Sequence, residues 1–133
     1  MRDSTRYEVS TGDAPKALGP YNQAIGLERQ RLLFVSGQIG IDPETGELEA
    51  GGVGQQTQRC IRNIRGILRA AGGDRATIVK TTIYLADIED FSAMNEAYAD
   101  AIGSPCPARS CVGGCSLPKG ALVEIEAIAA LED

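Results

Sequence analysis

Val123-Glu124-Ile125-Glu126-Ala127-Ile128 alternates apolar residues with acids, the period of a strand that sends successive side chains to opposite faces. Val123, Ile125, Ala127 and Ala129 then point one way, and Glu124 and Glu126 share the other face. Upstream, Pro107-Ala108-Arg109-Ser110-Cys111-Val112 reads as a second strand, expected to neighbour the first. The two would gather a fixed cation, a thiol and two carboxylates, the densest chemistry in the chain. Adjacent carboxylates repel, and the plain reading of such a pair is a solvated surface. Arg109 adds a planar fork that is always charged. It either neutralises one of these glutamates or holds the carboxylate of a small ligand, and the residue types alone leave both readings open.

The rest of the chain is read outward from these strands. Tyr7-Glu8-Val9 is a short first strand, after which Gly12, Pro15, Gly19 and Pro20 break any regular pattern as far as Tyr21. Ala24-Ile25-Gly26-Leu27, the polar turn Glu28-Arg29-Gln30-Arg31 and Leu32-Leu33-Phe34-Val35-Ser36-Gly37 suggest a hairpin with a well-buried second strand. Asp42-Pro43-Glu44-Thr45-Gly46 has the chemistry of a turn. From Val53 to about Ala71, the spacing of Val53, Thr57, Cys60, Ile61, Ile64, Ile67, Leu68 and Ala71 predicts an amphipathic helix, ended by Gly72-Gly73. Its other side carries Arg59, Arg62, Arg65 and Arg69, read as a solvated face.

Ile78-Val79-Lys80-Thr81-Thr82-Ile83-Tyr84-Leu85 is rich in β-branched residues and reads as a central strand. A second helix is expected from about Glu89 or Asp90 to Ala101, with Phe91, Met94, Tyr98, Ala101 and Ile102 on one side. The order β-β-β-α-β-α-β-β predicts an α+β domain with both helices on one face of a mixed sheet. The uncovered face, carrying acids together with apolar residues such as Ile128, calls for oligomerisation.

A length of 133 residues, 43% of them hydrophobic, fits one domain over residues 1–133 with a core that needs no staples. A net charge of −5 repels nucleic acid and anionic membranes on average. Met1 to Arg6 lack an apolar signal core, and no apolar run approaches the roughly 20 residues of a spanning helix, so a cytoplasmic protein is expected. Cys60, Cys106, Cys111 and Cys115 occur without any histidine or C-x-x-C pair. They are expected as free thiols with no metal site, Cys60 being a buried small hydrophobe.

Six segments in order, Gly19-Pro20-Tyr21-Asn22-Gln23-Ala24, Ser36-Gly37-Gln38-Ile39, Val79-Lys80-Thr81-Thr82, Met94-Asn95-Glu96-Ala97-Tyr98, Pro107-Ala108-Arg109-Ser110 and Glu124-Ile125-Glu126-Ala127, make the chain resemble the Rid/YjgF family of reactive-intermediate deaminases, RidA-like, from about Ala14 to Leu131. The resemblance implies a chorismate-mutase-like (bacillus-type) α+β fold with a mixed six-stranded sheet, two helices on one face, and a homotrimer with a sheet-lined centre and inter-subunit active sites. It implies no cofactor. The implied reaction is hydrolysis of 2-enamines and 2-imines, such as 2-aminoacrylate, 2-iminopropanoate and 2-iminobutanoate, to 2-keto acids and ammonia.

By the same resemblance, Arg109 would clamp the substrate carboxylate and Glu124 would position water or pass protons. Cys111 would line the catalytic pocket and offer backbone groups, and Tyr21, Ser36, Gly37 and Asn95 would complete it. The chemistry suits these residue types, because an imine carbon is already electrophilic and needs orientation and proton management rather than a metal or covalent nucleophile. The chain departs from the family pattern in a short connection before Arg109, with Ala101, Ile102 and Cys106 where bulky aromatics are common, and in Gly113-Gly114-Cys115 after Cys111. These changes bear on substrate choice. The other readings are a pathway-specialised relative acting on a larger imine, a non-enzymatic binding or holdase role, and a ribonuclease or RNA-binding inhibitor of translation, which the negative charge and the missing histidine disfavour.

Overall fold

The computed structural model describes residues 6–14, 16–28, 31–72 and 76–131. The expectations at Met1 to Thr5, Pro15, Arg29-Gln30 and the helix stop at Gly73 fall outside these residues. The elements are β1 (Arg6–Val9), β2 (Ala24–Leu27), β3 (Arg31–Ile39), α1 (Val53–Gly72), β4 (Ala76–Leu85), α2 (Phe91–Ile102), β5 (Ala108–Val112) and β6 (Val123–Leu131). This is the α+β element order read from the sequence.

The alternation in β6 is realised on the structure: Val123, Ile125, Ala127 and Ala129 are buried, while Glu124 and Glu126 stay partly accessible on the other face. β6 lies inside a four-stranded sheet ordered β3-β6-β4-β5. It is antiparallel to β3 and β4, whereas β4 and β5 run parallel. β5 and β6 are therefore not the neighbours that the sequence suggests; β4 separates them. The reason is connectivity: α2 supplies the crossover that a parallel β4–β5 pair needs, leaving the other edge of β4 for β6.

β2 pairs with β1, and β3 pairs with β6, so β2 and β3 do not form the expected hairpin. Among the described residues the six strands form one four-stranded sheet and one two-stranded ribbon rather than a single sheet. Nor is β3 well buried. Val35 is in the core, but Leu32 and Phe34 are 47% and 71% exposed. β3 is an edge strand, and its Leu32 and Phe34 lie in register with Ala130 and Ile128 on the face opposite the helices. A run of apolar residues is the signal for burial, and among the described residues the helices cover one face of the sheet.

Both helices pack on the other face. α1 spans 20 residues, about 30 Å, and buries Val53, Thr57, Cys60, Ile61, Ile64 and Leu68. Truncating a side chain as enclosed as Ile64 costs roughly 2–5 kcal/mol at such sites. Gln56 is buried and accepts from Leu122 N at 2.9 Å, tying the helix to the start of β6. The arginine side of α1 is less uniform than a solvated face. Arg59 donates to Glu49 at 2.7 Å and lies 3.7 Å from Asp42, and Arg65 Nη2 donates to the Ala101 and Ile102 carbonyls at the end of α2. Arg62 and Arg69 remain exposed.

A 3₁₀ turn over Ile88–Asp90 leads into α2, with Asp87 accepting from Glu89 N at 2.9 Å. α2 buries Met94, Ala97, Tyr98 and Ile102. Among the described residues, no helix is long and apolar enough to cross a membrane.

Candidate active site

Arg109 is placed by the register of β5. It pairs with Thr81 of β4, which is fully buried, so its side chain rises on the helix-facing side and meets α2. Arg109 Nη1 donates to Asn95 Oδ1 at 2.6 Å. The guanidinium carbon lies 5.1 Å from the ring centre of Tyr98, 5.3 Å from that of Tyr21 and 5.7 Å from that of Phe91. Such contacts contribute about 0.5–2 kcal/mol each, more as water is excluded. They hold the fork without neutralising it. Among the described residues Arg109 has no carboxylate partner.

The two tyrosine rings are themselves anchored. The Tyr98 hydroxyl and Thr81 Oγ1 share a hydrogen bond of 2.8 Å in the core. Burial pushes the Tyr98 phenol up to about 12, against the opposing effects of Thr81 and Arg109, so it stays neutral. Tyr21 follows a tight Gly19-Pro20 turn in which Tyr21 N donates to the Gly19 carbonyl at 2.8 Å, and its hydroxyl accepts from Leu18 N at 3.1 Å. Asn22 then docks on β5, bridging Ala108 and donating from its backbone to the Pro107 carbonyl at 3.2 Å. Its side chain also donates to the Cys106 carbonyl. A side chain at Gly19 would begin 3.7 Å from Arg109, Asn95 and Tyr21 at once.

Arg6 fastens the connection before Arg109 from below, donating to the carbonyls of Ile78 and Cys106 at 3.2 Å and of Pro105 at 3.4 Å. The Arg6 side chain thus holds this connection by its backbone carbonyls. Cys111 lies two residues beyond Arg109 on the same face, in register with Ile83. Burial raises its thiol above the ordinary value, with Arg109 pulling the other way and Cys115 adding to the rise. The half-buried thiol is thus disfavoured as a thiolate.

Glu124 stands elsewhere. Its register partners are Tyr84 on β4 and Ile39 on β3, so it projects from the face opposite the helices. Its carboxylate lies against Gly37, where an added Cβ would overlap it. The β3–β6 register shifts between Val35 and Gln38, and this bulge contains Ser36 and Gly37. On the same face Glu126 accepts a hydrogen bond from the Tyr84 hydroxyl, which raises the Tyr84 phenol. The expected site residues thus fall into two groups: Tyr21, Asn95, Arg109 and Cys111 on the helix side at β5, and Gly37 with Glu124 on the open side at β3 and β6. A salt bridge from Arg109 to Glu124 or Glu126 does not form within the protomer.

The family model described as Endoribonuclease L-PSP matches residues 11–131. This chain belongs to that family, the Rid/YjgF proteins. It is 45% identical over 129 residues to the human 2-iminobutanoate/2-iminopropanoate deaminase, covering 97% of this chain and 93% of that protein. It is 49% identical over 123 residues to the RutC family protein y4sK of Sinorhizobium fredii, covering 92% and 96%. The crystal structure of RidA from the Antarctic bacterium Psychrobacter sp. aligns with a TM-score of 0.70 at 39% identity, covering 94% of this chain and 99% of that one. The α+β fold of two helices and mixed sheets is thus the Rid fold, and relatives named as imine deaminases support deamination as the general activity.

Phe91, Tyr98 and Thr81 were not among the site residues expected from the sequence. Phe91 and Tyr98 looked like core because both fall on the apolar side of α2. The available signal was spacing: Phe91 is four residues before Asn95 and Tyr98 three after it, so a helix presents all three on one side.

Proposed function

We propose that this protein is a cofactor-independent, hydrolytic deaminase of 2-imino and 2-enamino acids, converting 2-aminoacrylate, 2-iminopropanoate and 2-iminobutanoate to 2-keto acids and ammonia. The observation that carries this reading is the state of Arg109: a guanidinium held by Asn95 and three rings, with no carboxylate of the described residues paired with its fork. A small carboxylate ligand is the natural partner for such a group.

Residues 1–133 act as one Rid/YjgF-like domain, and three copies form a homotrimer around their open sheet faces in the cytoplasm. Leu32, Phe34 and Val112, at 47%, 71% and 48% exposure, are the apolar surface this assembly covers. The active site lies between copies, with Tyr21, Asn95, Arg109 and Cys111 from one chain and Ser36, Gly37 and Glu124 from its neighbour.

In this site Arg109 binds the substrate carboxylate and so orients the C=N carbon. An enamine first tautomerises to the imine. Water adds to that carbon while Glu124 accepts one of its protons and returns it to nitrogen, giving a neutral carbinolamine. Glu124 then takes the hydroxyl proton and delivers it to nitrogen as the C–N bond breaks, so that the keto group forms and ammonia leaves. One water is consumed for each ammonia released. Fixing the imine against one water is the main contribution asked of the protein.

The test is ammonia and keto-acid release when a lyase generates 2-aminoacrylate in place. The wild-type protein is expected to accelerate release, and folded Arg109→Ala to lose at least about 100-fold, as expected when a charge-assisted clamp is removed. Unchanged rates in Arg109→Ala would overturn the assignment of Arg109, and no acceleration by wild type would overturn the activity.

A further inference from the structure

Gly113 follows β5, and the 3₁₀ turn before α2 rests directly on it. A Cβ at Gly113 would lie 2.6 Å from Ile88 Cβ and 3.0 Å from Ile88 Cα. The second contact is with backbone, so any larger residue forces the turn outward. The missing side chain therefore does not leave a wider space, because Ile88 fills it. One helical turn further on, Phe91 places its ring 5.7 Å from the Arg109 guanidinium carbon. Tyr98, also beside Arg109, is fully buried, whereas Phe91 and Ile88 are 37% and 50% exposed.

Two accessible apolar side chains thus stand on this turn, Phe91 beside the guanidinium fork and Ile88 three residues before it. We infer that Phe91 and Ile88, seated by Gly113, are specificity-determining residues that contact the aliphatic or aromatic side chain of a 2-imino acid and favour substrates larger than 2-iminopropanoate. The inference rests on the 2-imino acid reading of Arg109. Half-exposed apolar side chains beside a fixed cation recognise a ligand carrying both a carboxylate and an apolar tail. Each buried methylene contributes about 0.8 kcal/mol when fully enclosed, and less on an open surface.

The test is calorimetric titration with 2-keto acids bearing methyl, ethyl, isobutyl and benzyl side chains, which report binding without turnover. Wild type is expected to bind the isobutyl or benzyl member about 10-fold more tightly than the methyl member, in line with two or so methylenes of burial. Phe91→Ala should flatten this series, Phe91→Leu should keep most of it, and Gly113→Ala should flatten it by moving the turn. A wild-type series with no rise, no binding of any member, or a Phe91→Ala loss equal for all members would overturn the inference. Ammonia release is measured in parallel. A rising series in a protein that releases no ammonia contradicts the deaminase reading and leaves the role of Phe91 and Ile88 standing, whereas a flat series in an active enzyme contradicts that role alone.

Discussion

Arg109 and Glu124 project from opposite faces of one four-stranded sheet, and β4 runs between their strands. Arg109 shares the register of buried Thr81, whereas Glu124 shares that of Tyr84 three residues further along β4. Strand alternation sends those two registers to opposite sides, so no rotamer change within one chain can bring the two groups onto one small substrate. The proposed chemistry then depends on two chains, and the predictions below probe the two halves separately.

On the cation side, Asn95 fixes one edge of Arg109 through the 2.6 Å hydrogen bond. Asn95→Ala removes that bond while the three rings remain. Hydrogen bonds to charged groups contribute about 1.5–3 kcal/mol, so kcat/KM should fall roughly 10- to 100-fold. The loss should appear mainly in KM, because the group acts on ligand binding. Steady-state kinetics with 2-aminoacrylate measure the split, and a loss confined to kcat would speak against a binding role.

On the acid side, Gly37→Ala places a methyl where the Glu124 carboxylate now lies. The carboxylate must move while its strand stays in register. Proton management by a positioned group contributes about 10²–10⁴-fold, so a misplaced Glu124 should lower kcat by at least about 10-fold and leave KM within a few-fold. Retained kcat would show that the position of Glu124 is unimportant for turnover.

Two buried acids set the alkaline limit of stability. Burial raises the Cys60 thiol from its ordinary 9.0 to about 12, with Glu124 adding to the rise, and burial likewise raises the Tyr98 phenol from 10.0 to about 12. Both are neutral when protonated and both are favoured in that form by the fold. Their contribution is fully present below the unfolded values, and it is lost as pH climbs from about 9 through the folded values near 12. Each group contributes a slope of up to about 1.4 kcal/mol per pH unit in that window. The urea midpoint should therefore be flat near neutrality with respect to these groups and fall between pH 9 and 11. Cys60→Ala should fall less steeply, and an unchanged slope in that variant would contradict the role given to Cys60.

Elements with a complete local period were legible in the chain. β6 showed strict alternation, α1 showed a long apolar stripe, and β4 showed a β-branched run. Pairing was not legible. Leu32-Leu33-Phe34-Val35 looked like a buried hairpin strand because composition reports hydrophobicity but not which element supplies the cover. Its partner proved to be β6, nearly a hundred residues away, and Leu32 and Phe34 on one of its faces are exposed. Arg109 and Glu124 drew attention through their residue types, yet their separation follows from β4 entering between two strands that are consecutive in sequence. Asn95 was legible through the family resemblance. Phe91 and Tyr98 were hidden because an aromatic that boxes a cation has the same helical spacing as one that fills a core.

The most direct test of the two-chain site is complementation. Folded Arg109→Ala and Glu124→Gln proteins are each assayed alone, then unfolded together in equal amounts, refolded and assayed again. If each site takes Arg109 from one chain and Glu124 from its neighbour, each variant alone is inactive, and random reassembly restores about one quarter of wild-type activity, since half the chains can supply each group in a symmetric ring. If the mixture stays as inactive as the separate variants while refolded wild type regains its activity, the site does not combine these residues across chains, and the account is wrong.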